Sequence, residues 1–219
     1  GSDDGINSNC ANLALNFGYF GLFLDGNPRS ISRGQRFYNK YPHPWMYAPK
    51  FTCAKVTAEN INNLVKEAGL EGDIDVLSID IDGNDYWVWE AIDVINPIIV
   101  IVEYNFRFGH DRALTIPYDE QFVRSKAHYS NIYYGASLRA FYNLGRKKGY
   151  AFVGCNSAGN KAFFVRKDHK PDHIEELTVE LGFSNGQFRE SRDEKGTLNF
   201  LSHIEQQQLV LSLLLDEVG

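Results

Sequence analysis

DVLSIDIDGNDYWVWEAIDVINPIIVIVEYN, residues 75–105, is the stretch that decides the fold of this chain. Residues 76–81 form a short, β-branched apolar run that breaks into acids and a glycine, which is typical of a buried parallel strand at its carboxyl end. Residues 86–95 then carry apolar side chains at helical spacing. Asn96-Pro97 is expected to end that helix, and residues 98–102 form a second β-branched run. The stretch therefore predicts a strand–helix–strand unit.

Polar side chains close both strands of this unit. A right-handed parallel crossover places both carboxyl ends at the same edge of the sheet, where open α/β sheets bind ligands. Four such groups are expensive to bury unless a ligand, a metal or a helix N-terminus uses them. The alternative is that Asp82 and Asp85 only cap the following helix. The groups expected to converge are Asp80, Asp82, Glu103 and Asn105.

Composition narrows the class of protein. The chain has 219 residues, 43% of them hydrophobic and 23% charged, as in an ordinary globular protein. A net charge of −6 without a dense basic patch argues against nucleic-acid binding. No apolar run reaches the roughly 20 residues of a membrane span, and because the opening residues GSDDGINSN have neither a basic nor an apolar region we expect no signal peptide. Three widely spaced cysteines, Cys10, Cys53 and Cys155, are expected to be buried free thiols, so we predict a cytoplasmic protein.

The rest of the chain alternates strand and helix patterns and ends in an antiparallel hairpin at residues 150–153 and 162–165. This predicts an α/β fold with a doubly wound, mostly parallel, Rossmann-like sheet and an antiparallel terminal hairpin. Residues 106–134 lack a period and are rich in aromatics, so we expect a site lid. Other helices are predicted at 10–17, 29–41, 58–68 and 136–148, and other strands at 20–24 and 51–56.

We predict two parts of the chain, an α/β domain at residues 1–168 and a C-terminal helical extension at residues 169–219. Helices are expected at 172–181 and 202–215. The leucine-rich run at 209–215 is expected to pack either on the domain or on a second subunit, as a homodimer.

Several of these motifs resemble the FkbM-like group of class I S-adenosylmethionine-dependent methyltransferases. Asp80-Ile81-Asp82-Gly83 is similar to that group's Ile-Asp-Val-Glu-Gly signature, with Asp82 where a Glu is usual. Residues 97–103 resemble its next strand, which also ends in Glu. Gly149-Tyr150 and residues 160–166 resemble its terminal hairpin. The resemblance extends over the predicted α/β domain.

The opening GSDDG resembles the end of the family's glycine-rich cofactor loop, with Gly1 and Gly5 at the matching spacing. In the family this loop follows the first strand of the sheet, and the sequence given contains no such strand ahead of the loop. A cut chain, further residues upstream and a cloning remnant at Gly1-Ser2 are all compatible with this opening.

The resemblance implies S-adenosylmethionine as the cofactor. Gly5 would let backbone N–H groups approach the cofactor carboxylate. Asp25 would accept hydrogen bonds from a ribose diol, or it only forms an Asx turn with Gly26-Asn27. Thr57 and Glu59 would contact the adenine, or Thr57 only caps a helix. The implied cofactor-binding residues are Gly1, Gly5, Asp25, Thr57, Glu59 and Asp80.

Asp80 and Asp82 lie one residue apart, so on an extended strand they point the same way and would share a proton or recruit a cation. A divalent cation would be held by Asp80, Asp82 and Asn105. Metal-dependent relatives carry an adjacent Asp-Asn pair that residues 103–105 lack, so we favour a site without metal. Asp82 or Glu103 would then act as the base, with His110 nearby on the lid. An acceptor pocket is predicted from Asn105, Tyr118, Tyr133, Tyr134 and Ser137.

These observations predict methyl transfer to an oxygen of a small molecule or glycan. The alternative is a non-catalytic nucleotide- or metabolite-binding accessory domain with the same sheet, because fold alone does not determine function. A nicotinamide-dependent dehydrogenase is disfavoured, because no full GxGxxG motif follows a strand.

Overall fold

The computed structural model describes residues 1–40 and 48–219. The strands are β1 (Leu22–Asp25), β2 (Lys50–Cys53), β3 (Gly72–Ile79), β4 (Ile95–Glu103), β5 (Leu114–Thr115), β6 (Tyr150–Cys155), β7 (Lys161–Arg166), β8 (Ser191–Arg192), β9 (Leu198–Asn199) and β10 (Asp216–Glu217). The helices are α1 (Ala11–Asn16), α2 (Pro28–Tyr38), α3 (Ile61–Glu67), α4 (Asp85–Ala91), α5 (Arg124–Ala127), α6 (Leu138–Lys147), α7 (Val179–Gly182) and α8 (His203–Leu211).

The principal strands form two sheets. β1 and β2 make a parallel pair, and a four-stranded sheet has the order β3-β4-β7-β6. Within the larger sheet, β3 and β4 are parallel, whereas β7 is antiparallel to both of its neighbours. The α/β class and the antiparallel terminal hairpin are confirmed. The predicted single sheet is instead divided, because β1 and β3 do not pair with each other and adjoin a shared apolar cleft.

The central strand–helix–strand unit forms as predicted, but its helix is shorter. α4 ends at Ala91, and Asn96 and Pro97 lie inside β4. Pairing between β4 and β7 starts only at Ile99, so at Pro97 the strand has β3 as its single neighbour. A proline without an N–H is tolerated at such an edge position. The pattern at 92–95 therefore belongs to the turn and the strand rather than to the helix.

The core lies where α4 and α6 cover the four-stranded sheet. Trp89 is 2% exposed and packs its ring against those of Phe141, Tyr150 and Phe164. Gly145 permits this close packing, since a Cβ at this position would lie 2.9 Å from the Phe164 ring. The resulting layer packs α4 and α6 against the sheet that contains β3 and β4, the strands whose carboxyl ends carry the candidate residues.

The predicted lid is largely packed rather than free. Phe108, Leu114, Ile116 and Ile132 form a second apolar cluster with Val210 of α8. β10 also pairs with β5 in this segment. This aromatic segment without periodicity supplies one half of a small core. The other half lies about 100 residues later in the chain, where Gln206 and Glu217 accept hydrogen bonds from Arg107 and Arg112.

Other differences concern helix bounds. α3 begins at Ile61 rather than residue 58, and in place of the predicted helix at 172–181 only α7 is helical. The predicted end of the second helix at residue 41 and most of the connection at 41–49 lie outside the described residues. Besides α7 and α8, the tail from residue 169 contains the β8–β9 hairpin and β10, so it is not purely helical.

One buried polar contact ties α8 to the domain. Gln206 is fully buried, and its Oε1 accepts a hydrogen bond from Arg107 Nε at 2.5 Å. Its Nε2 donates to the carbonyls of Arg189 and Leu201. Within the leucine-rich run, Leu209, Val210 and Leu215 pack on the chain's own second apolar cluster, whereas Leu211 and Leu214 are exposed. The homodimer stays a prediction.

We expect Gln206→Leu to lower the free energy of unfolding by about 2–4 kcal/mol, because it removes a charge-assisted hydrogen bond and leaves the buried Arg107 without this acceptor. Gln208→Leu, on the exposed side of the same helix, is the matched control and should change stability by less than about 0.5 kcal/mol. Urea unfolding measures both. Equal effects of the two substitutions would contradict the anchoring role of Gln206.

Candidate functional site at the carboxyl edge

The candidate site lies beside the cleft between β1 and β3, from which the two sheets extend in opposite directions. From the cleft, β1 leads outward to β2, and β3 leads outward to β4 on the other side. A divergence of this kind is a topological switch point, and open α/β sheets bind ligands outside the carboxyl ends of the strands there. The polar residues at these ends are Asp25, the last residue of β1, Thr57 and Glu59 after β2, Asp80 and Asp82 after β3, and Glu103, the last residue of β4.

A buried lysine joins two of these strand ends. Lys161 opens β7 and is paired in register with Glu103. Its Nζ lies 2.5 Å from Asp80 Oδ2 and 3.4 Å from Glu103 Oε1. The Lys161 and Glu103 side chains are each 10% exposed. The positive charge between the carboxylates is thus supplied by the chain itself.

Within this cluster the pKa values of Asp80 and Glu103 are shifted in opposite directions. Burial raises the pKa of Glu103 to about 8, and the negative charge of Asp80 adds to that rise. Burial also acts to raise the pKa of Asp80, but the charge and hydrogen bond of Lys161 outweigh it and the pKa is lowered. The pKa of Lys161 is raised because the two carboxylates outweigh the opposing effect of burial. At neutral pH the cluster therefore holds Asp80 and Lys161 as ions and Glu103 mainly protonated.

Asp82 has a different environment from Asp80. β3 ends at Ile79, and Asp82 has a left-handed backbone with φ of 57°. Its carboxylate pairs with Arg124, which also lies 3.8 Å above the Tyr134 ring. The expectation that Asp80 and Asp82 point the same way is wrong, because Asp82 lies in a turn rather than on an extended strand.

The capping alternative is not what Asp85 does: its carboxylate bonds to the turn before α4 instead of capping the helix. Asp85 is 1% exposed and accepts hydrogen bonds from the N–H groups of Ile81 and Gly83, both at 2.9 Å. It therefore holds the turn after β3 from inside. Asn84 is the N-cap residue of α4 and makes no side-chain capping bond.

Asp25 connects β1 to the glycine-containing turn. Its Oδ2 accepts from the N–H of Asp3 and its Oδ1 from the N–H of Asn27, both at 2.8 Å. The second bond is the Asx turn considered as the alternative. Gly5 has φ of 73°, a conformation that favours glycine. At Gly1 the amino nitrogen contacts the carbonyl of Asp80.

The turn after β2 is fixed by reciprocal hydrogen bonds. The Thr57 N–H donates to Asn60 Oδ1 at 2.9 Å, and the Asn60 N–H donates to Thr57 Oγ1 at 3.2 Å. Thr57 and Asn60 therefore close the turn that precedes α3, while the N-cap residue of α3 is Asn60 and makes no side-chain capping bond. Glu59 instead accepts a hydrogen bond from the Tyr118 hydroxyl, which brings a predicted cofactor residue and a predicted acceptor residue together.

Two predicted acceptor residues have structural roles instead. Asn105 is fully buried, donates to the carbonyls of Ile132 and Tyr134, and accepts from the N–H of Arg107. Ser137 is fully buried and caps α6. Their side chains have no exposed surface with which to touch an acceptor. The prediction that they line an acceptor pocket is wrong for this conformation.

The remaining predicted residues are dispersed. Tyr134 lies buried beneath Arg124, and the Tyr133 hydroxyl donates to the carbonyl of Leu214 at 2.6 Å. His110 lies beside Phe183, with 4.8 Å between the ring centroids. No hydrogen bond or ion pair joins it to Asp82 or Glu103 in the described part of the chain.

The predicted metal ligands are likewise separated. Asp80 pairs with Lys161, Asp82 pairs with Arg124, and Asn105 is saturated by backbone groups. Among residues 1–40 and 48–219, no three His, Cys, Asp or Glu side chains are grouped so that they could hold a metal ion.

Buried polar atoms without a partner are concentrated at this edge. Within the described residues, three side-chain atoms are buried and make no hydrogen bond: Ser2 Oγ, Asn84 Oδ1 and Glu103 Oε2. Ser2 lies beside the end of β1, Asn84 follows β3, and Glu103 ends β4. Each such group costs about 1–3 kcal/mol when it stays unpaired, so water or a polar ligand is favoured beside these three atoms.

Sequence reasoning missed Lys161 and Arg124. The available signal for Lys161 was a lone cation at the start of a strand antiparallel to β4, but its pairing with Glu103 depends on a register that the hydrophobic pattern leaves open. Arg124 lies on the four-residue helix α5, for which the sequence carries no periodic signal.

Comparison with protein-family models, with curated proteins and with solved structures found no match to this chain. Among the helices of the described residues, none combines the length and the apolar character that crossing a membrane requires.

The burial of Glu103 predicts a pH-dependent stability. Its pKa is raised from 4.5 to about 8 on folding, so its contribution is fully present below pH 4.5 and is lost as pH rises to about 8. We expect the free energy of unfolding to fall by a few kcal/mol over this window, and Glu103→Gln to reduce that fall, as measured by urea unfolding from pH 5 to 8.5.

Glu175→Gln serves as the control, since Glu175 is exposed and its removal should leave the pH dependence unchanged. A wild-type stability that is flat or rises between pH 5 and 8, or an unaltered slope in Glu103→Gln, would show that Glu103 titrates normally.

Proposed function

We propose that the chain binds S-adenosylmethionine at the carboxyl edge and transfers its methyl group to an oxygen of a small molecule or glycan. The observation that carries the proposal is Glu103, a buried carboxyl with a raised pKa and an unpartnered oxygen, at a topological switch point. The choice of cofactor rests on the resemblance of the motifs around Asp80-Ile81-Asp82-Gly83 and of the opening turn.

The residues at this edge suit the cofactor's polar groups. Each Asp25 oxygen accepts one backbone N–H, which leaves lone pairs for a ribose diol. The turn containing Gly5 is held against β1 by the bond from the Ser2 N–H to the Leu24 carbonyl, at 2.8 Å. Glu59, which follows β2, is bonded to the Tyr118 hydroxyl, and the adenine would lie beside this pair.

The cofactor supplies an electrophilic methyl group on a sulfonium. Residues of this chain would position the acceptor hydroxyl and take its proton as the oxygen–carbon bond forms and the carbon–sulfur bond breaks, with its electron pair left on the thioether sulfur. Glu103 serves as this base once it has lost its own proton, and Lys161 keeps Asp80 ionised beside it. Asp82 is the second candidate base, although Arg124 competes for its lone pairs.

Cofactor placement is tested at Asp25. We expect Asp25→Ala to weaken binding of the demethylated cofactor by about 1.5–3 kcal/mol, because a charged hydrogen-bond acceptor is lost. Asp25→Asn keeps an oxygen that can accept the Asn27 N–H but removes the negative charge. It therefore distinguishes the loss of the charge from the loss of the turn. Isothermal calorimetry is the measurement, with NAD as the control ligand and circular dichroism as the check of folding. Unchanged affinity in a folded Asp25→Ala variant would exclude this placement.

The base is identified by the pH dependence of turnover. With Glu103 as base, kcat should rise with pH, reach half of its maximum near pH 8, the value to which the pKa of Glu103 is raised, and level off above it. Glu103→Gln should lower kcat by about 10²–10⁴-fold with nearly unchanged cofactor affinity. Labelled methyl transfer to a panel of catechols and monosaccharides supplies the assay. A loss confined to Asp82→Asn would make Asp82 the base, and loss in chelator that magnesium restores would assign the chemistry to a metal.

A second candidate is a non-catalytic metabolite-binding accessory domain. The observation that favours it is that Asp80 and Asp82, the acids of the signature-like motif, are both engaged by cations of the same chain. Cofactor binding in calorimetry without methyl transfer to any acceptor in the panel would support it. Detectable turnover that Glu103→Gln abolishes would exclude it.

A further inference from the structure

Arg107 carries a buried positive charge that the proposed function does not use. It is 4% exposed, and among the described residues no Asp or Glu forms an ion pair with it. Its Nε donates to Gln206 Oε1 and its Nη2 to the carbonyl of Phe188, and both of these acceptors are neutral. A buried charge is costly unless an opposite charge lies near it. An anion beside Arg107 would therefore relieve this cost.

A second arginine lies against the same tyrosine as Arg107. The guanidinium carbon of Arg124 is 3.8 Å from the centroid of the Tyr134 ring. Burial and the carboxyl of Glu103 raise the pKa of Tyr134 to about 12, and the charges of Arg124 and Arg107 act in the opposite direction. Burial lowers the pKa of Arg107, and the charge of Arg124 lowers it further. The two cations are therefore close enough to repel each other.

The acids around Tyr134 do not balance these two cations. Glu103 and Asp82 are the acids whose charges act on the pKa of Tyr134. Glu103 is mainly protonated at neutral pH, because burial raises its pKa to about 8. The single carboxylate of Asp82 thus stands against two guanidinium groups, which leaves one positive charge in excess. Lys161 does not change this balance, since Asp80 already neutralises it.

Asp82 lies where a ligand could take its place. Its carboxylate pairs with Arg124 Nη1, and the side chains of Asp82 and Arg124 are 58% and 28% exposed. Arg124 Nε donates to the carbonyl of Asn131, and Nη2 makes no hydrogen bond within the described part of the chain. A guanidinium binds a carboxylate best through two parallel N–H···O bonds. A carboxylate that arrives from solvent could therefore displace Asp82 and use Nη1 and Nη2 together.

We propose that Arg124, with the charge of Arg107 behind it, binds the carboxylate of the acceptor in place of Asp82, so that the acceptor is a hydroxyl-bearing carboxylic acid. This inference rests on the proposed function, because it names the class of acceptor for the same edge. The single excess charge matches a monoanion such as a carboxylate better than a phosphate dianion. Glu103 Oε2, which is buried and unpartnered, would face the hydroxyl of the same molecule. We call Arg107 and Arg124, around Tyr134, the anion site.

Binding of matched acids and neutral analogues tests the anion site without requiring turnover. The pairs are para-hydroxybenzoate with para-hydroxybenzamide, and D-glucuronate with D-glucose. Isothermal calorimetry measures each compound with and without the demethylated cofactor, at low ionic strength so that screening is small. We expect at least one acid to bind about tenfold or more tightly than its neutral partner, because only the acid makes charge-assisted bonds to Arg124.

Three variants assign this preference to Arg124. Arg124→Gln should abolish the preference for the acid. Arg112→Gln is the matched control and should keep it, because Arg112 is exposed and pairs with Glu217 instead. Asp82→Asn should raise the affinity for the acid by about threefold or more, because the internal carboxylate no longer competes for Arg124. An ion pair that serves only stability would give no such gain.

A wild-type protein that binds neither acid more tightly than its neutral partner, in either cofactor state, would overturn the proposal. A preference that survives in Arg124→Gln, or an affinity for the acid that does not rise in Asp82→Asn, would also overturn it. Circular dichroism checks the folding of each variant. If Arg124→Gln does not fold, Asp82→Asn alone decides.

Labelled methyl transfer to the same four compounds separates this inference from the proposed function. Acid binding with the expected response of the variants but without methyl transfer would support the anion site and count against the methyltransferase. Methyl transfer to the neutral compounds as fast as to the acids would support the methyltransferase and overturn the anion site.

Discussion

The contact of Lys161 with Asp80 and Glu103 is the interaction on which the arrangement of the carboxyl edge depends. Two acids at neighbouring strand ends repel each other when both are ionised, and burial makes that repulsion stronger. One buried cation neutralises Asp80, with which it makes the shorter contact, and leaves Glu103 to keep its proton. This solution requires β7 to lie antiparallel beside β4 with Lys161 opposite Glu103, so the terminal hairpin determines the chemistry of the parallel strands.

The strand–helix–strand unit could be predicted because its signals are local. Apolar runs, helical spacing and polar breaks lie within about 30 residues, and the chain orders them as a crossover unit does. The ion pairs of the site could not be predicted in this way. Lys161 reaches Asp80 across 81 residues and Arg124 reaches Asp82 across 42, and such contacts depend on register and loop packing rather than on a repeated pattern. Asn105 shows the same limit, since a polar residue at a strand end serves a ligand or the backbone equally well, and here it serves the backbone.

The prediction of a lid at 106–134 rests on a physical reason that holds only when the segment has no partner. Its apolar residues have no regular spacing because they have two different partners: Phe106 and Ala113 pack in the main core, whereas Phe108, Leu114, Ile116 and Ile132 pack with Val210 of α8. β5, in the same segment, pairs with β10. An isolated reading of composition cannot reveal a partner that lies so far along the chain. Arg107 and Gln206 make the dependence mutual, because each satisfies the other's buried polar atoms.

The cleft between β1 and β3 and the carboxyl edge share Gly1 and Ser2. The Ser2 N–H donates to the Leu24 carbonyl and the Gly1 nitrogen contacts the Asp80 carbonyl, so these two residues connect β1 with the turn after β3. The Asp3 N–H donates to Asp25, which ties the same turn to the last residue of β1. These bonds already order the backbone around Asp25, so they would lower the entropy cost of binding a ligand there without touching the ligand themselves.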